Sequence, residues 1–451
     1  MKSVEAFTLE ERKNHIVVNK KNKDQGIKCD QHSISGAVSQ RACVYCGARV
    51  VLNPITDAVH IVHGPIGCSS YTWDIRGSLS SESEMFRNSF STDLQEKDII
   101  FGGEKKLSAA IDEIMEQTSP KAIFVYSTCV VGVIGDDLEA VCNQAQEKYN
   151  IRVIPVQSSG FAGSKKDGYK AACNAIIDLM EDDSYKVEIK DKRAFNYLGD
   201  FNLAGEIWIL NNYFKEIGIK LITGVTGDAT IEKLKHAQNA SFNIVQCAGS
   251  SIYLAEMMKD KFNIPYERVS FFGLEDISNS LRMIARLTGD EDVQKKAEVF
   301  IEYKLEKIRE MIHCYKERCK GKKVAIYVGG GFKAISLIKQ FNELGMKTVM
   351  VGTQTGRKEE YVKIKELSDE GTVILDDTNP TELEKFMKEK SADLLVGGVK
   401  ERPLAYKLGV AFIDHNHERK HPLAGYEGAV NFAKEVDLTV NSPVWKFVKR
   451  G

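Results

Sequence analysis

Apolar positions in this chain follow two alternating rhythms. Short runs that are apolar almost throughout end in Gly, Ser, Cys or Asn, and each is followed by a stretch with apolar residues at helical spacing. KAIFVYST (121–128) precedes GDDLEAVCNQAQEKY (135–149), and SFNIVQ (241–246) precedes SSIYLAEMMKDKF (250–262). KKVAIYVGG (322–330) leads into FKAISLIKQFNELG (332–345), and ADLLVGG (392–398) into RPLAYKLG (402–409). Strands that alternate with helices predict parallel sheets covered on both faces, an α/β fold.

Residues 1–35 break the rhythm and read as a polar arm. Charged stretches at 181–193 (EDDSYKVEIKDKR) and 291–322 read as links, the second helical in pattern. They divide the remainder into three α/β domains, 36–190, 191–315 and 316–451, as expected for 451 residues at roughly 150 per domain.

Charge narrows the partners. Sixty-two basic residues against 63 acidic ones leave a net charge of −1, so no basic surplus points to nucleic acid or an acidic membrane. The first 26 residues lack the apolar core of a secretory signal, and apolar runs such as 122–134 fall short of the ~20 residues that span a bilayer. A cytoplasmic location is expected. Ten cysteines in that compartment are not expected to pair as disulfides.

Position separates the cysteines that can reach a ligand from those that pack. Ligands of open parallel sheets collect beyond the carboxyl ends of the strands. Cys129 follows the strand at 121–128 and precedes a Val-Val-Gly-Val loop; Cys247 follows the strand at 241–246. Cys68 closes His63-Gly64-Pro65-Ile66-Gly67-Cys68, which reads as a turn, and Cys43 lies just before a turn at Gly47. All four are placed to present a thiolate to a cleft. Cys142 and Cys173 sit inside helical patterns, where a free thiol packs as a small hydrophobe, and Cys29, Cys314 and Cys319 receive no role. Wide separations exclude zinc-ribbon spacing, with Cys43-x-x-Cys46 the only close pair among the candidates. Iron–sulfur clusters suit scattered thiolates. Cys43, Cys68 and Cys129 supply three ligands of a four-iron cluster; the fourth is either Cys46 or a cysteine of another chain.

Longer segments carry a resemblance. The runs CVYCGARVVLNPITDAVHIVHGPIGCSSYTWDIRGS (43–78), FSTDLQEKDIIFGGEKKL (90–107) and VYSTCVVGVIGDDLEAV (125–141) resemble those of nitrogenase component 1 subunits. SSGFAGSK (158–165), VQCAGSSIYLAEMM (245–258), RVSFFGLEDI (268–277) and VGGVKERPLAYKLGVAFIDHNHERKHPLAGYEG (396–428) continue it in order. The resemblance implies three Rossmann-like domains around a central cofactor cleft. It implies that Cys43, Cys68 and Cys129 bind an interface cluster, completed in cofactor-assembly members by a cysteine of a NifN-like β-subunit. Cys247 matches the single cysteine that anchors a large iron–sulfur cofactor.

Within the family, the resemblance favours the cofactor-assembly branch. Asn416, flanked by His415 and His417, stands where the catalytic α-subunit has a metal-binding histidine. Asparagine is a poor ligand for such a metal, and a site with one firm thiolate and a weak far end holds a cluster and still releases it. The segment GFAGSKKDGYKAA (160–172) has Lys165, Lys166 and Tyr169 but no histidine, although the catalytic subunit carries one there. Arg76 and Lys400 are candidate cations for an anionic cluster or homocitrate, and His63 reads as a helper in its turn. Gly329-Gly330-Gly331 could favour an anion, but no dinucleotide fingerprint or P-loop lysine accompanies it.

The implied function is a scaffold subunit that holds an iron–sulfur precursor while molybdenum and homocitrate are inserted, then passes it to apo-nitrogenase. The implied partners are a NifN-like β-subunit in an α2β2 heterotetramer, NifB and the nitrogenase iron protein. The competing readings are a catalytic α-subunit of a nitrogenase or nitrogenase-like reductase, a scaffold of the vanadium or iron-only system, and a metal-free nucleotide-binding protein.

Overall fold

The computed structural model describes residues 10–20, 26–29, 42–73, 79–80, 88–181, 183–187, 189–246, 248–415 and 419–448. These residues form fourteen strands in three sheets. A short strand, β1 (Ile16–Val18), comes first. Strands β2 (Ala58–His63), β3 (Ser89–Ser91), β4 (Ala122–Ser127) and β5 (Arg152–Val156) make a parallel sheet in the order β3-β2-β4-β5. Strands β6 (Ala194–Leu198), β7 (Lys220–Gly224), β8 (Phe242–Val245) and β9 (Tyr266–Arg268) repeat the theme in the order β7-β6-β8-β9. The third sheet holds β10 (Lys323–Val328), β11 (Lys347–Thr353), β12 (Val373–Asp376), β13 (Leu394–Gly397) and β14 (Ala411–Asp414). Its order is β1-β12-β11-β10-β13-β14, parallel except for β1, which pairs antiparallel with β12.

The chain divides into two compact units: one contains 42–269 and 287–293 with the first two sheets, the other 1–41, 270–286 and 294–451 with the third. In the first sheet, β2 and β4 are buried at every position. Alternate residues of β4 face opposite ways, as the period of two requires. Phe124 and Tyr126 join a core with Ala172 and Ile176 of the helix Lys165–Met180. Ile123 and Val125 join another with Leu107 and Ile111 of the helix Glu104–Gln117. Each large side chain so buried contributes ~1.5–3 kcal/mol. Burial on both faces explains why these strands read as continuous apolar runs.

Strand order also locates the crevices. In each sheet the chain builds outward on one side, then crosses to the other: between β2 and β4, between β6 and β8, and between β10 and β13. At such reversals the loops beyond the strand ends diverge and leave room for a ligand.

Residues 10–20 of the polar stretch dock on the third sheet. Arg12 and His15 are buried, and Arg12 Nη2 lies 3.0 Å from Glu382 and donates to the Asp376 carbonyl at 2.8 Å. Partners more than 350 residues away satisfy charges that local patterning reads as solvent-facing. Among the described residues, no helix is long and apolar enough to cross a membrane.

Candidate metal-cluster site

Three cysteines gather beside the β2/β4 reversal. Cys43 is the N-cap of the helix Val44–Leu52, Cys68 lies in the helix Ile66–Trp73 that follows β2, and Cys129 opens the helix Cys129–Ile134 that follows β4. The local reading put a turn up to Cys68, a loop after Cys129 and a turn at Gly47 after Cys43, and three features explain why helices stand there instead. Pro65 precedes the first residue of its helix, where a missing N–H costs nothing, and the Cys68 N–H reaches the Pro65 carbonyl at 3.1 Å. Cys129 follows Thr128, an extended N-cap, and its short helix ends on left-handed Gly135. Gly47 is helical, and its lack of a side chain serves a helix crossing: a Cβ there would lie 2.1 Å from the Lys165 carbonyl oxygen.

The thiols act on one another electrostatically. Burial pushes the Cys68 thiol up, and charge on Cys129 and Cys43 pushes it further. Burial likewise raises Cys43, where backbone donation from Cys46 partly opposes it and charge on Cys46 and Cys129 adds to it. A cation among these thiols would offset that cost, because the thiolate and not the thiol is the metal ligand. The Gly160 N–H donates to Cys129 Sγ at 3.2 Å and so orients that sulfur. A Cβ on Gly160 would stand 2.8 Å from that sulfur, so glycine leaves it room. Among the described residues, no three His, Cys, Asp or Glu side chains gather tightly enough for one ion; a cluster spreads its thiolates over several irons. Three thiols on neighbouring elements, with no zinc-type spacing, are the donor type that an iron–sulfur cluster takes.

Further residues lie on the same elements as these cysteines. Cys46 is buried on the same helix as the Cys43 cap. Burial lifts Tyr71 to about 12, and charge on Cys46 and Cys43 adds to the effect. His63, at the end of β2, bonds Thr92 Oγ1 through Nδ1 and Asp136 Oδ2 through Nε2, each at 3.0 Å. Both ring nitrogens are thus engaged, tying the end of β2 to the residue after β3 and to the turn beyond the helix that follows β4. Ile66, Tyr71, Ile100, Phe101, Val133 and Phe161 are exposed on the helices and turns around the cysteines.

The remaining candidates are distributed unevenly. Arg76, Cys247 and Asn416 lie outside the described residues, as does His417. Around Cys247, β8 ends at Val245 and the next helix begins at Ala248. Lys400 is exposed in the turn after β13, at the β10/β13 reversal. Beside it, burial lifts Glu401 to about 7, against N–H donation from Gly398 at 2.7 Å. His415 is buried between Phe272 and Phe432, with ring centroids 5.8 and 6.2 Å away. Cys142 and Cys173 are buried in helices, each thiol raised by burial to about 12.

Sequence reasoning missed Gly160, Glu401 and Arg49. A glycine following Ser158-Ser159 signals only a turn, and nothing local reveals that its N–H faces a sulfur 31 residues earlier. Arg49 carries no signal in the sequence; it lies in the last turn of its helix and is buried.

Three α/β sheets, with three cysteines on elements beside the strand-order reversal of the first, define a Rossmann-like α/β protein. The chain belongs to the nitrogenase component 1 type oxidoreductase family, whose model matches residues 43–441. It is 64% identical over 444 residues to the nitrogenase iron-molybdenum cofactor biosynthesis protein NifE of Clostridium pasteurianum, covering 98% of this chain and 97% of that one. It is 53% identical to the NifE protein of Methanosarcina barkeri, over 98% of both chains. A solved structure titled Nitrogenase Cp1 at pH 5 superposes with a TM-score of 0.89 at 32% identity, covering 97% of this chain and 96% of that one.

Proposed function

We propose that this chain is the α-type subunit of a NifE-type scaffold, on which an iron–sulfur precursor becomes the iron–molybdenum cofactor. The observation that carries the reading is a contrast in likeness. Over nearly the whole chain, identity is 64% to a cofactor biosynthesis protein and 32% to a nitrogenase structure.

In this reading Cys43, Cys68 and Cys129 hold a four-iron cluster, and a cysteine of a NifN-like β-subunit completes it within an α2β2 heterotetramer. The exposed apolar rim supports a partner chain there: Phe101 and Phe161 are 87% and 76% exposed, and such a patch beside a cluster site is typical of an interface. When bound, the cluster supplies one-electron transfer and a bridge between subunits. The cargo is the precursor received from NifB. Cys247 anchors it by one thiolate, Asn416 offers a weak far contact, and Arg76 and Lys400 offset its charge and that of homocitrate. Molybdenum and homocitrate enter with the nitrogenase iron protein, and the product passes to apo-nitrogenase in the cytoplasm.

The test compares the parent complex and Cys247→Ala, both purified without oxygen, by iron content and electron paramagnetic resonance (EPR). The expected result is loss of the large cluster with the four-iron signal kept. Loss of both signals, or of neither, contradicts separate sites. Robust acetylene reduction by the parent complex would overturn the scaffold role in favour of a catalytic subunit.

A further inference from the structure

The ladder between β2 and β4 runs residue for residue from Ala58 opposite Ala122 to His63 opposite Ser127, and there it stops. Cys68 and Cys129 both lie beyond that point, on the helices that follow the two strands. Among the described residues, no backbone hydrogen bond joins 64–68 to 128–135. The sheet therefore does not set the spacing of the two segments that carry these cysteines.

Side chains take over where the ladder ends. His63 is buried, and its Nε2 lies 3.0 Å from Asp136 Oδ2, just past the helix Cys129–Ile134. The Asp136 side chain is 3% exposed, and both its oxygens accept the Gly103 N–H, at 3.0 and 3.1 Å. Gly103 is the N-cap of the helix Glu104–Gln117, so the carboxylate sits at the positive end of that helix. Facing this carboxylate, Nε2 is the donor, which leaves Nδ1 to accept from the Thr92 hydroxyl at 3.0 Å. The same hydroxyl accepts the Gly64 N–H at 3.1 Å. Gly64 in turn presses on Thr128, the residue before Cys129: a Cβ on Gly64 would stand 2.2 Å from Thr128 Oγ1.

We infer that His63 and Asp136 are positioning residues for the interface cluster: their hydrogen bond clamps the segment that carries Cys68 to the segment that carries Cys129, at the separation the cluster takes. This rests on the reading of Cys43, Cys68 and Cys129 as cluster ligands. The pair acts through the chain, since His63 leads directly into Gly64-Pro65-Ile66-Gly67-Cys68 and Asp136 follows the short helix that Cys129 opens. A cluster binds only when its ligand sulfurs are held close to one arrangement by the residues behind them. A slack clamp lets the two thiols spread over a range of positions, which lowers occupancy and broadens the signal of the clusters that still form.

The test uses the full chain with its partner subunit, prepared without oxygen, as parent, His63→Leu, His63→Gln, Asp136→Asn and the double variant His63→Leu/Asp136→Asn. Iron content gives occupancy, and the EPR line shape, scaled to iron, gives the uniformity of the loaded clusters, which a general loss of stability would not change. His63→Leu is expected to lose occupancy several-fold and to broaden the four-iron signal. His63→Gln, whose amide still donates to Asp136, and Asp136→Asn, whose carbonyl still accepts from His63, are expected to stay nearer the parent on both measures. The double variant should lose no more than His63→Leu, because the contact is already gone. Parent-like occupancy and line shape in His63→Leu, or a His63→Gln variant as impaired as His63→Leu, would overturn the inference while leaving the cluster assignment standing. Should His63→Leu fail to fold, a line shape in both His63→Gln and Asp136→Asn indistinguishable from the parent's would overturn it, and a modest broadening in either would support it. A parent with no four-iron signal would overturn the cluster assignment itself.

Discussion

Gly47 and Gly168 meet at the crossing of the helices Val44–Leu52 and Lys165–Met180, where a Cβ on Gly168 would lie 2.9 Å from the Gly47 Cα and 1.9 Å from the Val44 carbonyl oxygen. Both clashes are with backbone, which cannot swing aside. Gly168→Ala is therefore expected to force the helices apart, at a cost of about 1–3 kcal/mol or more. Because Cys43 caps one of these helices, iron per chain should fall together with the melting temperature. An alanine variant with the parent's melting temperature would disprove the tight crossing.

Gly160 makes a more local demand. An alanine Cβ would press on Cys129 Sγ from 2.8 Å while most of the first sheet stays untouched. Gly160→Ala is expected to lower cluster occupancy several-fold with a stability change below roughly 1.5 kcal/mol, the scale of a small overpacking defect. Iron content set against urea unfolding separates the two effects; a variant that loads iron like the parent would contradict the close approach.

Arg12 and Glu382 form a buried, forked ion pair, with Nε and Nη2 at 3.1 and 3.0 Å from the carboxylate. Removing one partner strands the other charge, a loss of about 3–5 kcal/mol. Arg12→Met and Glu382→Leu should each destabilise the unit that holds the third sheet, and the double variant should recover much of the loss. Amide exchange along β12, the partner of β1, reads the change; strictly additive losses would show that the charges do not meet.

His60 predicts an acid limit. Burial, with Arg49 alongside, holds its imidazole well below the ordinary value near 6.5. Above that value both folded and unfolded chains carry a neutral ring, and the contribution to stability is complete. Below it the unfolded chain takes up a proton that the folded chain refuses, so stability falls with pH by up to ~1.4 kcal/mol per unit. His60→Gln should flatten the urea midpoint between pH 5 and 6.5, and parallel profiles for parent and variant would count against it.

Glu401 works in the opposite direction. Burial lifts its carboxyl from 4.5 to about 7, so over that window the folded chain keeps a proton the unfolded chain has released. Its contribution is complete below pH 4.5 and is lost as pH rises toward 7, by at most ~1.4 kcal/mol per unit. Glu401→Gln, which still offers Gly398 an acceptor, should remove that decline. A variant whose stability falls from pH 5 to 7 as steeply as the parent's would refute the shift.

Local patterning anticipated the sheet strands well where both faces are covered. The expected strand at 121–128 is β4 (Ala122–Ser127), and the expected helix at 332–345 is Gly331–Glu343. It failed where a residue answers to a distant partner. Gly47 looked like a turn because glycine alone cannot announce the helix it lies against. Pro65 looked like a helix breaker although it stands just before a first turn. Nothing near Arg49 in the sequence tells that it is buried.

The amino-acid sequence alone determined the α/β rhythm, since strand and helix periodicity is written over a handful of adjacent positions. It also set Cys129 just beyond the end of β4. Tertiary structure decided that Cys43, Cys68 and Cys129 act on one another, that Gly160 faces a sulfur, and that Arg12 and Arg49 are buried. Such meetings depend on strand order and helix crossings. Those join residues tens to hundreds of positions apart, beyond the reach of any local pattern.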